Sequence, residues 1–336
     1  MSVMEKLIRQ IPSENPTDGQ IAQMKRKYGM FLHFGINTFG NVEWSDGGID
    51  ARSYQPDTID AEGWVRTAYE AGMNYVILIT KHHDGFCMWD TKYTDYCVKN
   101  SGNPTDVVKE VAKACEKYGM ELGLYYSLWD RKEASYKDNF DDGYIPYMLN
   151  QLEELMDGRY GKIVELWLDG PWEKYSIQWR YDLIYDLVKR YQPMCQIGIN
   201  HTIGRAGLGD PEERYRPCNY QEGDPIRNFP SDFRLWDPYP CREDDPKLYM
   251  HDGQLYYMPF EMTICSREGF SWFYSNIYEQ KPLLDVKETV EKMKCVFKAN
   301  NVVVINMPPD VHGKLVEGDV KHLMDIGREL GILRKV

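Results

Sequence analysis

Short apolar runs alternating with longer stretches of helical period constrain this 336-residue chain more than any other feature. Runs at 30–34, 75–79, 122–126, 164–168, 196–199, 260–264 and 302–305 are built mainly from Val, Ile, Leu and aromatic residues. They are too short for helices, and most offer almost no polar residue to point at water, so they read as strands covered on both faces. Between them, 62–71, 105–118, 144–156, 177–190, 286–298 and 317–330 place apolar residues at helical spacing. Thr105-Asp106, after Pro104, makes a helix start. Repeated βα units of this kind predict an α/β fold, a single (β/α)8-type (TIM-like) barrel with some irregularity. The eighth strand is expected within 202–257, a stretch rich in Pro, Arg, Asp and aromatics with no strong period. A loop of that length in a compact domain signals a role of its own, so a large insertion over the site mouth is expected there. No repeat, heptad run or linker divides the chain, and 1–336 reads as one domain.

Composition narrows the partners. A formal charge of −12 argues against nucleic acid, whose phosphates need a basic surface. No apolar stretch approaches the ~20 residues that span a bilayer, so no membrane is expected. The first ten residues lack a basic region followed by an apolar run, which makes the cytoplasm the default compartment. A secreted or periplasmic home follows instead if a signal has been removed. The eight cysteines include no Cys-x-x-Cys pair, against zinc ribbons and thioredoxin chemistry. Twenty-five Tyr and nine Trp suggest a site that binds apolar faces with polar edges.

The strand ends carry the candidate chemistry, since a barrel keeps its reactive groups on the carboxyl-end rim. The fourth run ends Glu165-Leu166-Trp167-Leu168-Asp169-Gly170, an apolar strand stopping at a carboxylate. The first carries His33, with Glu43 and Trp44 shortly after it, and the second opens into Lys81-His82-His83-Asp84-Gly85-Phe86. The third ends Tyr125-Tyr126-Ser127, and the run at 260–264 holds Glu261, with Trp272 beyond. Inside an apolar run Glu261 is costly unless it faces a polar cavity. Two carboxylates with neutral histidines and indole faces suit glycoside hydrolysis. His82, His83, Asp169 and Glu261 are equally competent metal ligands, which leaves a metal-dependent barrel hydrolase or isomerase open.

The segments Lys27–Gly35, Lys81–Trp89 and Trp167-Leu168-Asp169-Gly170 together resemble α-L-fucosidases of glycoside hydrolase family 29. Gly123-Leu124-Tyr125-Tyr126-Ser127, Pro259-Phe260-Glu261 and the tail from Val302 to Asp310 are similar to its branch for α-1,3/1,4-linked fucose. The resemblance implies a retaining exo-glycosidase acting on terminal α-L-fucosyl linkages of oligosaccharides, without a cofactor or metal. It implies that Asp169 is the nucleophile, forming a covalent fucosyl-aspartate, and Glu261 the acid/base. It places His33, Glu43, Trp44, His82 and His83 on the sugar, with Tyr126 chosen over Tyr125 beside them and Trp272 against the C6 methyl. Retention would put the two carboxyls ~5–5.5 Å apart. Members commonly add a C-terminal β-sandwich. Here the last helical pattern runs almost to Val336, so a barrel without that sandwich is expected, with a flank open to a second subunit. A non-catalytic fucose-binding homologue is the remaining alternative.

Overall fold

The computed structural model describes residues 6–204, 220–235, 242–269 and 271–335. Eight parallel strands close into a barrel: β1 (Tyr28–Leu32), β2 (Tyr75–Lys81), β3 (Glu121–Ser127), β4 (Ile163–Asp169), β5 (Gln196–Asn200), β6 (Phe233–Leu235), β9 (Phe260–Cys265) and β10 (Val302–Asn306). The order around the wall is β1-β10-β9-β6-β5-β4-β3-β2. The chain therefore folds as the α/β barrel that its alternating pattern predicts.

Period-two alternation divides the strand residues between two cores. Phe31, Tyr75, Ile77, Ile79, Tyr125, Trp167, Phe233, Leu235, Val302 and Val304 fill the interior. Met30, Val76, Leu78, Leu124, Leu166 and Ile305 face the surrounding helices. Strand β4 is buried along its whole length, as its apolar run requires.

The helices pack outside the wall. They are α1 (Asp18–Arg26), α2 (Ile36–Gly40), α3 (Ala61–Glu70), α4 (Val107–Tyr118), α5 (Ser135–Asp138), α6 (Ile145–Met156), α7 (Tyr181–Tyr191), α8 (Val286–Lys298) and α9 (Glu317–Leu330). In α4, Val107, Val108, Val111, Ala114 and Cys115 make the buried face. Asp106 caps it by accepting from the Lys109 amide, and Gly119 closes it in the left-handed conformation. Such a cap contributes about 1 kcal/mol.

The eighth strand, β6, lies inside 202–257 as expected, although 205–219 and 236–241 of that insertion lie outside the described residues. Among the described residues, the crossover from β6 to β9 is made by an antiparallel ribbon rather than a helix. It pairs β7 (Leu248–His251) with β8 (Gln254–Tyr257) around Asp252-Gly253, both at positive φ. Tyr249 and Tyr256 of the ribbon join Ile203, Ile226 and Met258 in a small separate core.

One irregularity bears on the site. The pairing of β2 with β3 slips between Ile79 and Lys81, so Ile79 faces Tyr125 while Lys81 faces Tyr126. Lys81 consequently leaves the interior and lies 4.3 Å from the Tyr126 ring centroid, in an ion pair with Asp130 at 2.7 Å. His82 and His83, just past the bulge, are released from strict alternation.

Candidate active site

Asp169 is the last residue of β4 and is 7% exposed. Gly170 turns the chain away at φ 75°, and a Cβ there would come within 2.8 Å of Trp129 Cβ, so both conformation and space demand glycine. Tyr125 Oη donates to Asp169 Oδ2 at 2.7 Å and Asn200 Nδ2 donates to Oδ1 at 2.9 Å. Two donors, one on each oxygen, fix the plane of the carboxyl group.

Three buried histidines surround this group. Burial pushes His33 down to about 3 and His83 to about 4, and it holds His82 well below the ordinary imidazole range. All three are therefore neutral at pH 7, and their partners assign the tautomers. The Asn306 amide nitrogen donates to the Ser271 and Trp272 carbonyls, so its oxygen accepts from His33 Nδ1–H at 2.7 Å. Ser127 Oγ donates to the Trp129 carbonyl and accepts from His83 Nδ1–H at 2.7 Å. Asn37 is oriented by the Ser45 amide on its oxygen, and its nitrogen donates to Asp84 and to His82 Nδ1 at 3.3 Å. His33 and His83 thus keep Nε2 as an acceptor, and His82 keeps Nε2–H as a donor. His83 Nε2 lies 3.6 Å from Asp169 Oδ2. Burial also raises Asp84, to about 7.

In an NMR titration, the Cε1–H resonances of His33, His82 and His83 should show no shift of the size that forming an imidazolium gives between about pH 7 and about pH 5, where an ordinary histidine titrates, although His82 can register the nearby Asp84. His312 has its pKa raised by its hydrogen bond to Asp57, and it should move over a higher range. Three site resonances moving with a midpoint near 6.5 would contradict the burial argument.

Aromatic rings wall the group. Trp272 lies with its ring centroid 5.1 Å from that of His33, and Glu43 accepts from the Trp272 and Phe273 amides. Burial raises Glu43 against those two hydrogen bonds. Trp44 meets His83 edge-on at 5.1 Å and stacks on Trp172 at 6.2 Å. Trp129 and Trp172 also flank His83.

Two expected residues are elsewhere. Tyr126 points out of the barrel and donates to Gln151 Oε1 at 2.7 Å, because alternation along β3 gives the interior to Tyr125. Glu261, expected as acid/base on the rim, is the second residue of β9 and lies in the amino-end layer of the interior. It accepts from Tyr75 Oη at 2.7 Å and Trp167 Nε1 at 3.0 Å. The Trp167 and Tyr125 rings lie between it and Asp169, so the ~5–5.5 Å pairing of retention cannot be made by these two. The apolar run around Glu261 marks depth in the barrel, not a pocket wall. Residues that strand-end reasoning did not single out include Asn37, Asn200 and Asn306; as single amides they carry no sequence signal.

The donor set also weighs against the metal reading. His82, His83 and Asp169 offer ligand atoms within 4.8 Å of one another, but Glu261 is not among them. A metal-bound histidine donates its other ring N–H to an acceptor. His83 does so, whereas His82 Nδ1 faces the Asn37 amide donor.

The sequence profile of the Alpha-L-fucosidase family matches residues 40–333. The chain belongs to the α-L-fucosidase family. It is 33% identical over 322 residues to Alpha-L-fucosidase 1 of Arabidopsis thaliana, covering 93% of this chain and 59% of that protein. A crystal structure of a glycoside hydrolase 29 family member from an unknown rumen bacterium superposes with a TM-score of 0.78 at 26% identity, over 94% of this chain and 57% of that one. Alpha-L-fucosidase isoenzyme 1 from Paenibacillus thiaminolyticus shares the fold, with a TM-score of 0.71 at 24% identity over 93% and 75% of the two chains. The chain thus spans less than two thirds of the length of the Arabidopsis α-L-fucosidase and the rumen family member. Among the described residues no helix is long and apolar enough to cross a membrane.

Proposed function

We propose that this chain hydrolyses terminal α-L-fucosyl linkages with retention, through a fucosyl ester on Asp169. The observation that carries the reading is the setting of Asp169, a strand-end carboxyl group braced by Tyr125 and Asn200 inside a ring of neutral histidines. Attack by Asp169 on the anomeric carbon forms the carbon–oxygen bond as the glycosidic bond breaks, and water then hydrolyses the ester. Both oxygens of Asp169 already accept a hydrogen bond, which holds the carboxylate in one orientation for in-line approach.

The histidine tautomers supply recognition. Nε2 of His33 and of His83 accept from sugar hydroxyls, and Nε2–H of His82 donates to a third. Trp272 and Trp44 offer indole faces to the carbon side of the ring. Glu261, buried beneath Trp167, takes no part in proton transfer to the leaving oxygen.

Incubation with an aryl α-L-fucoside, and with trisaccharides carrying fucose in α-1,2, α-1,3 and α-1,4 linkages, tests the reading. The expected result is release of fucose from at least one of them, with the α-anomer appearing first by proton NMR. Release confined to α-1,3 and α-1,4 trisaccharides supports a branched-substrate preference. First appearance of the β-anomer overturns retention, and no release from any substrate overturns the activity.

A further inference from the structure

The amino-end layer of the barrel encloses two carboxyl groups and one guanidinium. Glu165 is 0% exposed, Glu261 1% and Arg26 6%. Arg26 Nη2 and Gln23 Nε2 both donate to Glu165 Oε2 at 3.3 Å. Among the described residues Glu165 Oε1 receives no N–H or hydroxyl, although the Glu261 carboxyl is within hydrogen-bonding reach of Glu165. Both oxygens of Glu261 are occupied as acceptors, one by the Trp167 indole and one by the Tyr75 hydroxyl.

Two ionised carboxylates here would lie side by side in a place without solvent, with the guanidinium on Glu165 alone, and the bare oxygen of Glu165 would face a second anion. A proton on Glu261 removes both faults. It donates to Glu165 Oε1 and leaves one ion pair, Arg26 with Glu165. The groups facing Glu261 are Tyr75 from β2 and Glu165 and Trp167 from β4, with Arg26 of α1 on the far oxygen of Glu165. Glu121 of β3 reaches Arg26 Nη1 at 3.5 Å, while β6 and β10 present Leu235 and Val302. Burial, then the adjacent Glu165, push Glu261 well above the usual carboxylate range.

From this layer the contacts lead to the rim. The Trp167 indole bonded to Glu261 stacks on Tyr125, with centroids 5.6 Å apart and planes 24° apart, and the Tyr125 hydroxyl holds Asp169. We infer that Glu261 is a positioning residue: a neutral carboxylic acid joining Glu165, Tyr75 and Trp167, it fixes the indole against which Tyr125 leans and so aims Asp169. The kinetic consequence rests on the activity proposed above; the protonation state does not.

Glu261→Gln and Glu261→Leu separate this role from bulk packing. Glutamine keeps an acceptor for Trp167 and a donor for Glu165, and leucine keeps neither. Infrared spectra with isotope-labelled glutamate, taken above the ordinary glutamate range, should show the C=O stretch of a protonated carboxylic acid in the wild type and lose it in E261Q. The unfolded chain has released this proton above the ordinary glutamate range while the folded chain retains it. The wild-type unfolding constant should therefore rise with pH relative to E261Q above the ordinary glutamate range, by about tenfold per pH unit for as long as the folded chain keeps the proton. Per folded molecule, E261Q should keep kcat on an aryl fucoside within about threefold, while E261L loses about tenfold or more with KM little changed. The Trp167 indole N–H resonance should move in E261L and stay nearly in place in E261Q. Absence of the acid band from the wild type, or equal loss of kcat in both variants, overturns the inference. A wild type that cleaves no fucoside overturns the activity, while the acid band and the indole resonance still decide on Glu261.

Discussion

Asp169→Ala is expected to lower kcat on an aryl α-L-fucoside by about 10⁴-fold, the scale on which removal of a covalent nucleophile acts. The fold should survive, because among the described residues the carboxylate closes no ion pair with lysine or arginine, and its two donors, Tyr125 and Asn200, belong to neighbouring strands of an intact wall. The variant should still bind fucose, since the three histidines are held by Asn306, Asn37 and Ser127 rather than by Asp169. Azide fits the space left by the side chain and should restore turnover, giving a fucosyl azide of inverted configuration. Undiminished hydrolysis by the alanine variant removes Asp169 from the chemistry. Loss of activity accompanied by a lost near-UV circular dichroism signal would make its role structural instead.

The second large effect concerns stability. Lys81 and Asp130 form a fully buried pair at 2.7 Å, with Tyr126, Tyr144 and Tyr147 about the ammonium. Burial opposes the charge on Lys81, but Asp130 and the phenol oxygens outweigh it and hold its pKa well above the ordinary lysine value. Lys81→Met leaves the Asp130 carboxylate in place without its cation and should destabilise the fold by about 3–5 kcal/mol. Oδ1 of Asp130 also accepts from the Lys132 and Glu133 amides, so this loop, which follows Trp129, is expected to loosen with it. The denaturant midpoint at constant m-value measures the loss. A change below about 1 kcal/mol would mean that solvent reaches the pair and compensates Asp130.

The barrel was legible because most of its strands are apolar on both faces and six of the outer helices carry regular periodicity. The boundaries 286–298 and 317–330 recur unchanged in α8 and α9. Two elements that the pattern reading passed over had local signals of another kind. Thr17 and Gln20 form a capping box at the start of α1, a Thr-x-x-Gln spacing visible in the chain itself. Asp252-Gly253 between two short aromatic runs is the hairpin dipeptide that turns β7 into β8.

The site was legible where a motif fixes the strand end, at Asp169, His82 and His83. It was not legible where depth or parity decides. Glu261 and Asp169 both occur in apolar runs, but one is the second residue of its strand and the other the last, and four residues of strand amount to about 13 Å. Tyr125 and Tyr126 are chemically identical, and only the pairing of β3 with Trp167 and Asp169 of β4 tells which one faces inward.

The slipped pairing at the end of β2 gives the site an unusual sensitivity to chain length. Substitution around Ile79, Thr80 and Lys81 alters packing but leaves the backbone's irregular step in place. Removing a single residue there would exchange inside for outside, turning an ammonium toward the pocket of Asp169 and an imidazole toward the tyrosine cage. Ligand preference at this site should therefore be tunable by point changes, whereas length variation should be tolerated in the surface ribbon and not in that one-residue slip.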